Sequence, residues 1–350
     1  LKKSFHRLPM LENAGIRKFF SGPESFTPDT QYLLGETPEI KNFFTCCGFN
    51  SIGIASSGGA GRVTAEWMIN GHINEDLFSV DIKRFQQFHS SKKFIMERVT
   101  ETLGDLYGMH WPYKQHKTSR NQITLPYHEE LKKLGACFGS SGGFERPMWY
   151  SLNGAKAEYE YSFGYQNWYP SAEYETKNTR KNVGLFELTP FSKFDVAGEN
   201  VHDELQKLCT ANIKDVEGRS TYTQMLNEDG GIETDVTITC LTKNHFRIIG
   251  PAATREHDKF HIKKYLSEKI NFKDVTEDFV CLGLYGPNTR KLLSNISDDD
   301  FSNEGIKFSH GKKVNIDGID VWAQRLSYVG EIGFELYVKI EDSKKLFLTI

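Results

Sequence analysis

Residues 225–240 have the sequence Met225-Leu226-Asn227-Glu228-Asp229-Gly230-Gly231-Ile232-Glu233-Thr234-Asp235-Val236-Thr237-Ile238-Thr239-Cys240. A turn at Gly230-Gly231 precedes a segment whose side chains alternate with a period of two, which is typical of a β-strand. One face would carry Ile232, Thr234, Val236, Ile238 and Cys240, and the other Glu233, Asp235, Thr237 and Thr239. We therefore predict a strand that buries one face and presents two carboxylates on the other.

The sequence around this strand indicates an α+β, multidomain fold with a β-rich C-terminal region that begins near residue 148. The predicted elements of that region are strands at 192–198, 245–249 and 279–285, a helix at 203–209, and a hairpin-like pair at 318–327 and 334–338. Residues 1–90 have α/β character instead. Residues 91–147 are polar and rich in Lys and His, and we predict connecting helices and loops there.

A Gly-rich segment near the N-terminus is predicted to join a strand to a helix. A short buried strand at 42–49, which contains the thiols Cys46 and Cys47, precedes a predicted loop at 56–61. The helix would start near Ala60, because the helical period is kept by Ala60, Val63, Thr64, Trp67 and Met68. Unpaired N–H groups at a helix N-terminus suit a phosphate or the carbonyl edge of a reduced flavin. The alternative is a tight turn with a purely structural role.

Four acidic residues are candidates for a functional site. Glu233 and Asp235 could act as acid–base groups, amine anchors or cation ligands, or could belong to a solvated sheet face. Glu331 lies at a predicted turn and Glu335 on the strand that follows it. A carboxylate in either position could accept two N–H bonds from a 2-amino-pyrimidinone ring, or could simply be solvated.

Composition excludes several classes of protein. The 350 residues carry 43 Lys and Arg against 46 Asp and Glu, a net charge of −3, which gives no electrostatic reason to expect nucleic acid as a partner. No stretch has the roughly 18 consecutive apolar residues of a membrane span. Six cysteines without a CxxC pair favour a reducing compartment over a disulfide framework, and the histidine spacing predicts no metal site.

Three ordered groups of motifs resemble the dimethylglycine and sarcosine dehydrogenase family. The segments at 21–29 and 34–39, Cys47-Gly48-Phe49-Asn50-Ser51-Ile52-Gly53 and Gly58-Gly59-Ala60-Gly61 resemble the C-terminal part of its FAD-binding α/β oxidoreductase domain. Residues 91–147, which end in Gly143-Phe144-Glu145-Arg146-Pro147, resemble its central linker domain. From residue 148 to 350, the segments at 183–188, 222–228, 230–235 and 327–331 resemble a mixed α+β folate-binding domain, the aminomethyltransferase or T-protein of the glycine cleavage system.

The resemblance implies a flavin-dependent enzyme that oxidises an N-methyl amine, dimethylglycine or sarcosine, and passes the one-carbon unit to tetrahydrofolate. It implies FAD contacts from Gly48, Phe49, Asn50, Gly53, Gly58, Gly59 and Gly61. Asp235 corresponds to an aspartate that orients or activates the folate or amine nitrogen. Folate contacts are implied for Tyr222 and for a glutamate that binds the pterin, either Glu331 or Glu335. The family favours the bacterial cytoplasm or the mitochondrial matrix.

Two other functions fit the same resemblance. A non-catalytic regulatory subunit, like that of pyruvate dehydrogenase phosphatase, resembles the same three modules. A separate folate-dependent transferase is disfavoured by the flavin-like motifs in residues 20–85. Because the chain starts with Leu1 and ends within an amphipathic pattern at 342–350, we expect a piece of a longer protein. The family's N-terminal adenine-binding unit has no counterpart in these residues, so neither cofactor is expected to bind the piece tightly.

Overall fold

The computed structural model describes residues 2–350, and its N-terminal part is a small α/β unit. This unit contains helix α1 (Lys2–Arg7), a hairpin of β1 (Leu33–Glu36) and β2 (Phe44–Cys47), and helix α2 (Gly53–Asn70). A small core forms where Leu34, Ala60, Val63 and Val80 pack together. Only one face of α2 is therefore buried.

Helix α2 starts earlier than the sequence predicts. The backbone turns at Gly48, Asn50 and Ser51, which have φ values of 68°, 47° and 67°, and the helix begins two residues later at Gly53. The predicted loop at 56–61 is wrong, because these residues lie inside α2. Glycine within a helix costs about 1 kcal/mol relative to alanine, and the helix tolerates it. The helix ends at Gly71, whose φ of 76° is a left-handed conformation that glycine adopts readily.

The prediction that Cys46 and Cys47 are buried is also wrong. Both thiols are exposed, because β2 pairs with β1 alone in a two-stranded sheet. At the other end of α2, Met68 was expected on the buried face but is exposed. These outer surfaces of the N-terminal unit face away from its small core.

Residues 91–150 contain helices and a β-hairpin. The elements are α3 (Lys92–Asp105), α4 (His128–Lys133), β3 (Ala136–Ser141) and β4 (Phe144–Tyr150). The hairpin corrects the prediction of helices and loops alone, and its turn is Gly142-Gly143. Phe144 is buried in the same core as Tyr127 and the C-terminal sheet. The domain boundaries at residues 90 and 147 stay predictions.

The C-terminal part is built on two five-stranded antiparallel sheets. Its helices are α5 (Tyr169–Lys181), α6 (Val201–Leu208), α7 (Arg255–Tyr265), α8 (Thr289–Ile296) and α9 (Ser343–Thr349). Its strands are β5 (Gly184–Glu187), β6 (Ser192–Ala197), β7 (Ser220–Leu226), β8 (Ile232–Thr242), β9 (His245–Gly250), β10 (Asn271–Asp274), β11 (Phe279–Tyr285), β12 (Gly311–Ile316), β13 (Ile319–Gln324) and β14 (Gly333–Lys339).

The strand order separates the two sheets. The first sheet has the order β10-β6-β9-β8-β7, and the second has the order β12-β13-β14-β11-β5. The chain passes between the sheets twice in the described residues, from β5 to β6 through residues 188–191 and from β10 to β11 through residues 275–278. The predicted strands at 232–240, 245–249 and 279–285 are confirmed.

Burial confirms the alternation in the middle of β8 but not at its ends: Ile232, predicted on the buried face, is 69% exposed beside the turn, and Thr239 of the predicted polar face is buried. Val236, Ile238 and Cys240 are in the core of the first sheet with α6 and α7, whereas Asp235 is exposed on the other face. No helix in the described part of the chain is both long enough and apolar enough to cross a membrane.

Candidate functional site

A cavity of about 380 Å³ lies between the two five-stranded sheets. The first sheet contributes residues of β7, β8 and β9, and the second contributes residues of β5, β11 and β14. The lining is mainly apolar and aromatic, with two carboxyl groups from Asp235 and Glu335. An apolar pocket with a few polar groups is the usual form of a small-molecule site, and here it brings together three of the predicted residues, since Tyr222 also lines it.

Asp235 and Tyr222 lie at the exposed mouth of this cavity. The β7–β8 register pairs Gln224 with Asp235 and Tyr222 with Thr237, so Tyr222 is the diagonal neighbour of Asp235. The Tyr222 hydroxyl donates a hydrogen bond of 2.7 Å to Asp235 Oδ2, and this bond raises the pKa of Tyr222. The tyrosine therefore keeps its proton and fixes the orientation of a carboxylate at the cavity mouth.

Glu335 lies deeper, on the central strand β14. Its side chain faces the cavity although the residue is only 7% exposed. The Tyr337 hydroxyl donates a 2.6 Å hydrogen bond to Glu335 Oε2. Burial raises the pKa of Glu335, while hydrogen bonds from Tyr337 and Tyr285 act in the opposite direction. A buried carboxyl group of this kind can gain from ligand N–H donors that would stabilise its charged form.

Glu331 lies outside the lining of the cavity. Its Oε1 is 2.9 Å from Nη1 of Arg180 on α5, at the protein surface. Surface ion pairs of this type contribute about 0–1 kcal/mol to stability. Whether Glu331 or Glu335 binds the pterin stays a prediction. The surroundings of the two carboxylates differ, because Glu335 is buried and lines the cavity whereas Glu331 pairs with Arg180 at the surface.

Three tyrosines that line the cavity, Tyr285, Tyr328 and Tyr337, are not among the site residues predicted from the sequence. Tyr337 is two residues from Glu335 on the same strand, so the period of two could have identified it. Tyr328 follows the predicted hairpin strand, and its hydroxyl lies 3.3 Å from Thr237 Oγ1 across the mouth. Tyr285 ends β11, and its proximity to β14 depends on strand pairing that no local pattern gives.

Glu233 does not line the same cavity as Asp235, although both residues belong to the predicted polar face of β8. It lines a separate cavity of about 480 Å³, where its Oε2 is 3.1 Å from His257 Nε2. The ion pair with His257 lowers the pKa of Glu233 to about 2. Burial disfavours the charged imidazolium, but the bonds to Asp258 and Glu233 outweigh it and raise the pKa of His257 to about 9. Glu233 therefore has a structural partner.

We expect this ion pair to make stability depend on pH. The pKa of His257 is about 9 in the folded protein against 6.5 for an ordinary histidine, so its stabilising effect is complete below pH 6.5 and is lost as the pH rises through 9. The contribution of His257 to the free energy of unfolding should fall by about 3 kcal/mol across this window. Urea unfolding at several pH values measures the change. His257→Gln should remove most of this slope, and an unchanged slope in that variant would contradict the assignment.

The predicted flavin residues lie in and just after the turn that precedes α2. Gly48, Asn50 and Gly53 form the turn and the helix start, and the buried Asn50 side chain accepts a 2.9 Å hydrogen bond from Thr27 N. Phe49 stacks on Tyr32 with ring centroids 5.0 Å apart. The other three predicted residues, Gly58, Gly59 and Gly61, lie on the exposed face of α2.

These placements suit close approach of a large ligand. A Cβ added at Gly58, Gly59 or Gly61 would meet no atom within 4 Å.

Within residues 2–350, no group of three or more His, Cys, Asp or Glu side chains is arranged to hold a metal ion.

Comparisons with known proteins agree with these motifs. Residues 127–350 match the GCVT N-terminal domain, and residues 70–124 match the FAD dependent oxidoreductase central domain. The chain is 40% identical over 331 residues to 4-methylaminobutanoate oxidase (formaldehyde-forming) of Paenarthrobacter nicotinovorans, a match that covers 94% of the chain and 40% of that protein. It is 31% identical to mitochondrial sarcosine dehydrogenase of Homo sapiens, which covers 97% of the chain and 41% of that protein.

A solved structure supports the fold. The aminomethyltransferase T of the glycine cleavage system from Bartonella henselae superposes with a TM-score of 0.53 at 24% identity, covering 65% of this chain and 56% of that one. The predicted α+β, multidomain fold class is thus confirmed. The chain spans about two fifths of the length of the curated relatives it matches. Because the GCVT match covers well over half of the chain, the chain belongs to the family that joins an FAD dependent oxidoreductase central domain to a GCVT domain.

Proposed function

We propose that the protein oxidises a small N-methyl amine with FAD and transfers the released one-carbon unit to tetrahydrofolate. The observation that carries this proposal is the inter-sheet cavity, where Asp235 and Glu335 face one apolar, aromatic space of about 380 Å³. The substrates in the names of the two relatives, 4-methylaminobutanoate and sarcosine, are both N-methyl amines.

The cavity residues fit a folate. The pterin has a flat ring with N–H donors along one edge, and Glu335 offers carboxyl oxygens at the buried end of the cavity. The aromatic lining, which includes Tyr285 and Phe186, offers surfaces on which a ring can pack. Asp235 at the mouth would hold or move a proton at the nitrogen that receives the one-carbon unit.

The turn before α2 fits part of a flavin site. Helix α2 begins at Gly53 directly after this turn and has no side-chain cap, so its first N–H groups could donate hydrogen bonds to a phosphate or a ring carbonyl. When bound, FAD supplies the hydride acceptor for oxidation of the amine. The contribution of this chain is to position one edge of the cofactor.

We further propose a reducing compartment, either the bacterial cytoplasm or the mitochondrial matrix. All six cysteines lie within the described residues, and none forms a disulfide. The relatives include a bacterial protein and a mitochondrial one.

An absorption spectrum of the full-length protein tests the proposed function. We expect a bound flavin that is bleached by 4-methylaminobutanoate, sarcosine or dimethylglycine, with conversion of added tetrahydrofolate to its 5,10-methylene derivative. Bleaching without folate conversion would contradict the transferase role. A protein that binds flavin but is bleached by none of these amines would favour the regulatory alternative.

Gly59→Asp should remove the flavin from the full-length protein. A Cβ added at Gly59 meets no atom within 4 Å and the position is exposed, so we expect the fold to be unaffected. The charge and bulk of the added side chain would instead oppose a reduced, anionic flavin at this face of α2. The flavin absorbance that remains after gel filtration measures the effect. Ala65→Asp, at another exposed position of the same helix, is the control and should retain the flavin. Full flavin occupancy in Gly59→Asp would contradict the assignment.

A further inference from the structure

Lys193, near the start of β6, is fully buried and has no carboxylate bonded to it. Its Nζ donates to three main-chain carbonyls, Thr189 O at 2.7 Å, Phe191 O at 2.9 Å and Thr276 O at 3.3 Å. The residue is 0% exposed. An ammonium group has three N–H donors, so these carbonyls account for all of them. Burying a charge is costly, which makes this arrangement unusual for a residue without a function.

The three carbonyls belong to the two segments that connect the sheets. Thr189 and Phe191 lie in the segment from β5 to β6, and Thr276 lies in the segment from β10 to β11. The main chain adds two bonds, from Lys193 N to Thr276 Oγ1 at 3.0 Å and from Val275 N to Lys193 O at 2.9 Å. Lys193 is therefore bonded to both inter-sheet connections at once.

The first of these connections forms part of the cavity lining. Leu188 and Phe191 of the first connection line the cavity directly. Cys281, which lines it from β11, donates its main-chain N–H to Thr189 Oγ1 at 3.1 Å. A shift of either connection would move these lining groups relative to Asp235 and Glu335, which belong to different sheets.

We propose that Lys193 is a positioning residue for the inter-sheet cavity, holding both connections so that the two sheets keep the spacing that a folate requires. The inference rests on the proposed function, since folate is the ligand whose fit it controls. Lys193 itself does not line the cavity.

The charge state of Lys193 gives the inference a distinct signature. Burial lowers the pKa of Lys193 to about 8, and Arg247 of β9 and Arg255 of α7 act in the same direction. Cys281 of β11 and Glu187 of β5 oppose the shift. A neutral amine has two N–H donors, so deprotonation leaves one carbonyl without a partner and loosens one connection.

Folate titration of the full-length protein tests this. For the wild type, we expect the Kd for tetrahydrofolate to rise about tenfold from about pH 7 to about pH 9.5, because the site needs the protonated amine. Lys193→Met should bind about tenfold more weakly at pH 7 and show no such rise. Subtracting the two profiles removes any contribution from His257, which titrates in the same range.

Val196→Ala is the control for a general loss of stability. Val196 is fully buried on the same strand but packs in the core of the first sheet. It should lower the melting temperature while changing the Kd by no more than about twofold. Equal weakening by Val196→Ala and Lys193→Met would overturn the inference, as would a flat wild-type profile, which decides the matter even if Lys193→Met does not fold. A wild type that binds no folate would overturn the proposed function and the inference with it.

Discussion

Asp235→Asn should slow formation of methylenetetrahydrofolate by about 10²–10⁴-fold while the rate of flavin reduction stays unchanged. Asp235 lines the inter-sheet cavity, whereas the predicted flavin contacts lie in the turn before α2 and on the exposed face of α2. Asparagine has nearly the same size and keeps an oxygen for Tyr222, but it cannot hold a proton or a negative charge. The one-carbon unit should then appear as free formaldehyde.

Rapid-mixing absorbance measures flavin reduction, and product analysis separates formaldehyde from methylenetetrahydrofolate. Asp320→Asn is a matched control, because Asp320 is an exposed strand aspartate on β13 outside the cavity lining. It should leave both activities unchanged. If Asp235→Asn lowered both activities equally, Asp235 would have a structural role on a solvated sheet face.

The features that the sequence predicted correctly depend on local periodicity. The alternation in residues 232–240 identified β8, because a strand places successive side chains on opposite faces whatever its partners are. The predicted strands at 245–249 and 279–285 correspond to β9 and β11. Asp235 could be singled out from this pattern and from the family resemblance together, and its position at a cavity then follows from the neighbouring sheet.

The features that the sequence could not supply depend on distant contacts. Tyr285 and Glu335 are about 50 residues apart, and only the antiparallel pairing of β11 with β14 brings them together. Glu233 shares a face with Asp235, but its bond to His257 on α7 holds it at a different cavity. The start of α2 was missed because Asn50 and Ser51 adopt positive φ, which few non-glycine residues do.

Glu335→Gln and Glu331→Gln should differ in folate affinity, with Glu335→Gln weakening it about tenfold or more. Each charge-assisted hydrogen bond between a buried carboxylate and a ligand N–H contributes roughly 1.5–3 kcal/mol. Glutamine loses this charge and turns one donor group towards the N–H edge of the pterin. Glu331→Gln removes only a surface ion pair with Arg180 and should change the binding free energy by less than about 0.5 kcal/mol.

The pH dependence of binding provides an independent check on Glu335. Because burial raises the pKa of Glu335, the wild type should bind tetrahydrofolate more tightly as the pH rises through that pKa and the carboxyl group loses its proton. Glu335→Gln should lack this rise, and Glu331→Gln should keep it. Calorimetric titration of the three proteins at several pH values below neutrality measures both effects. If Glu331→Gln weakened binding and Glu335→Gln did not, the surface turn would be the pterin contact. If neither did, the pterin would bind without a carboxylate from β14 or its preceding turn.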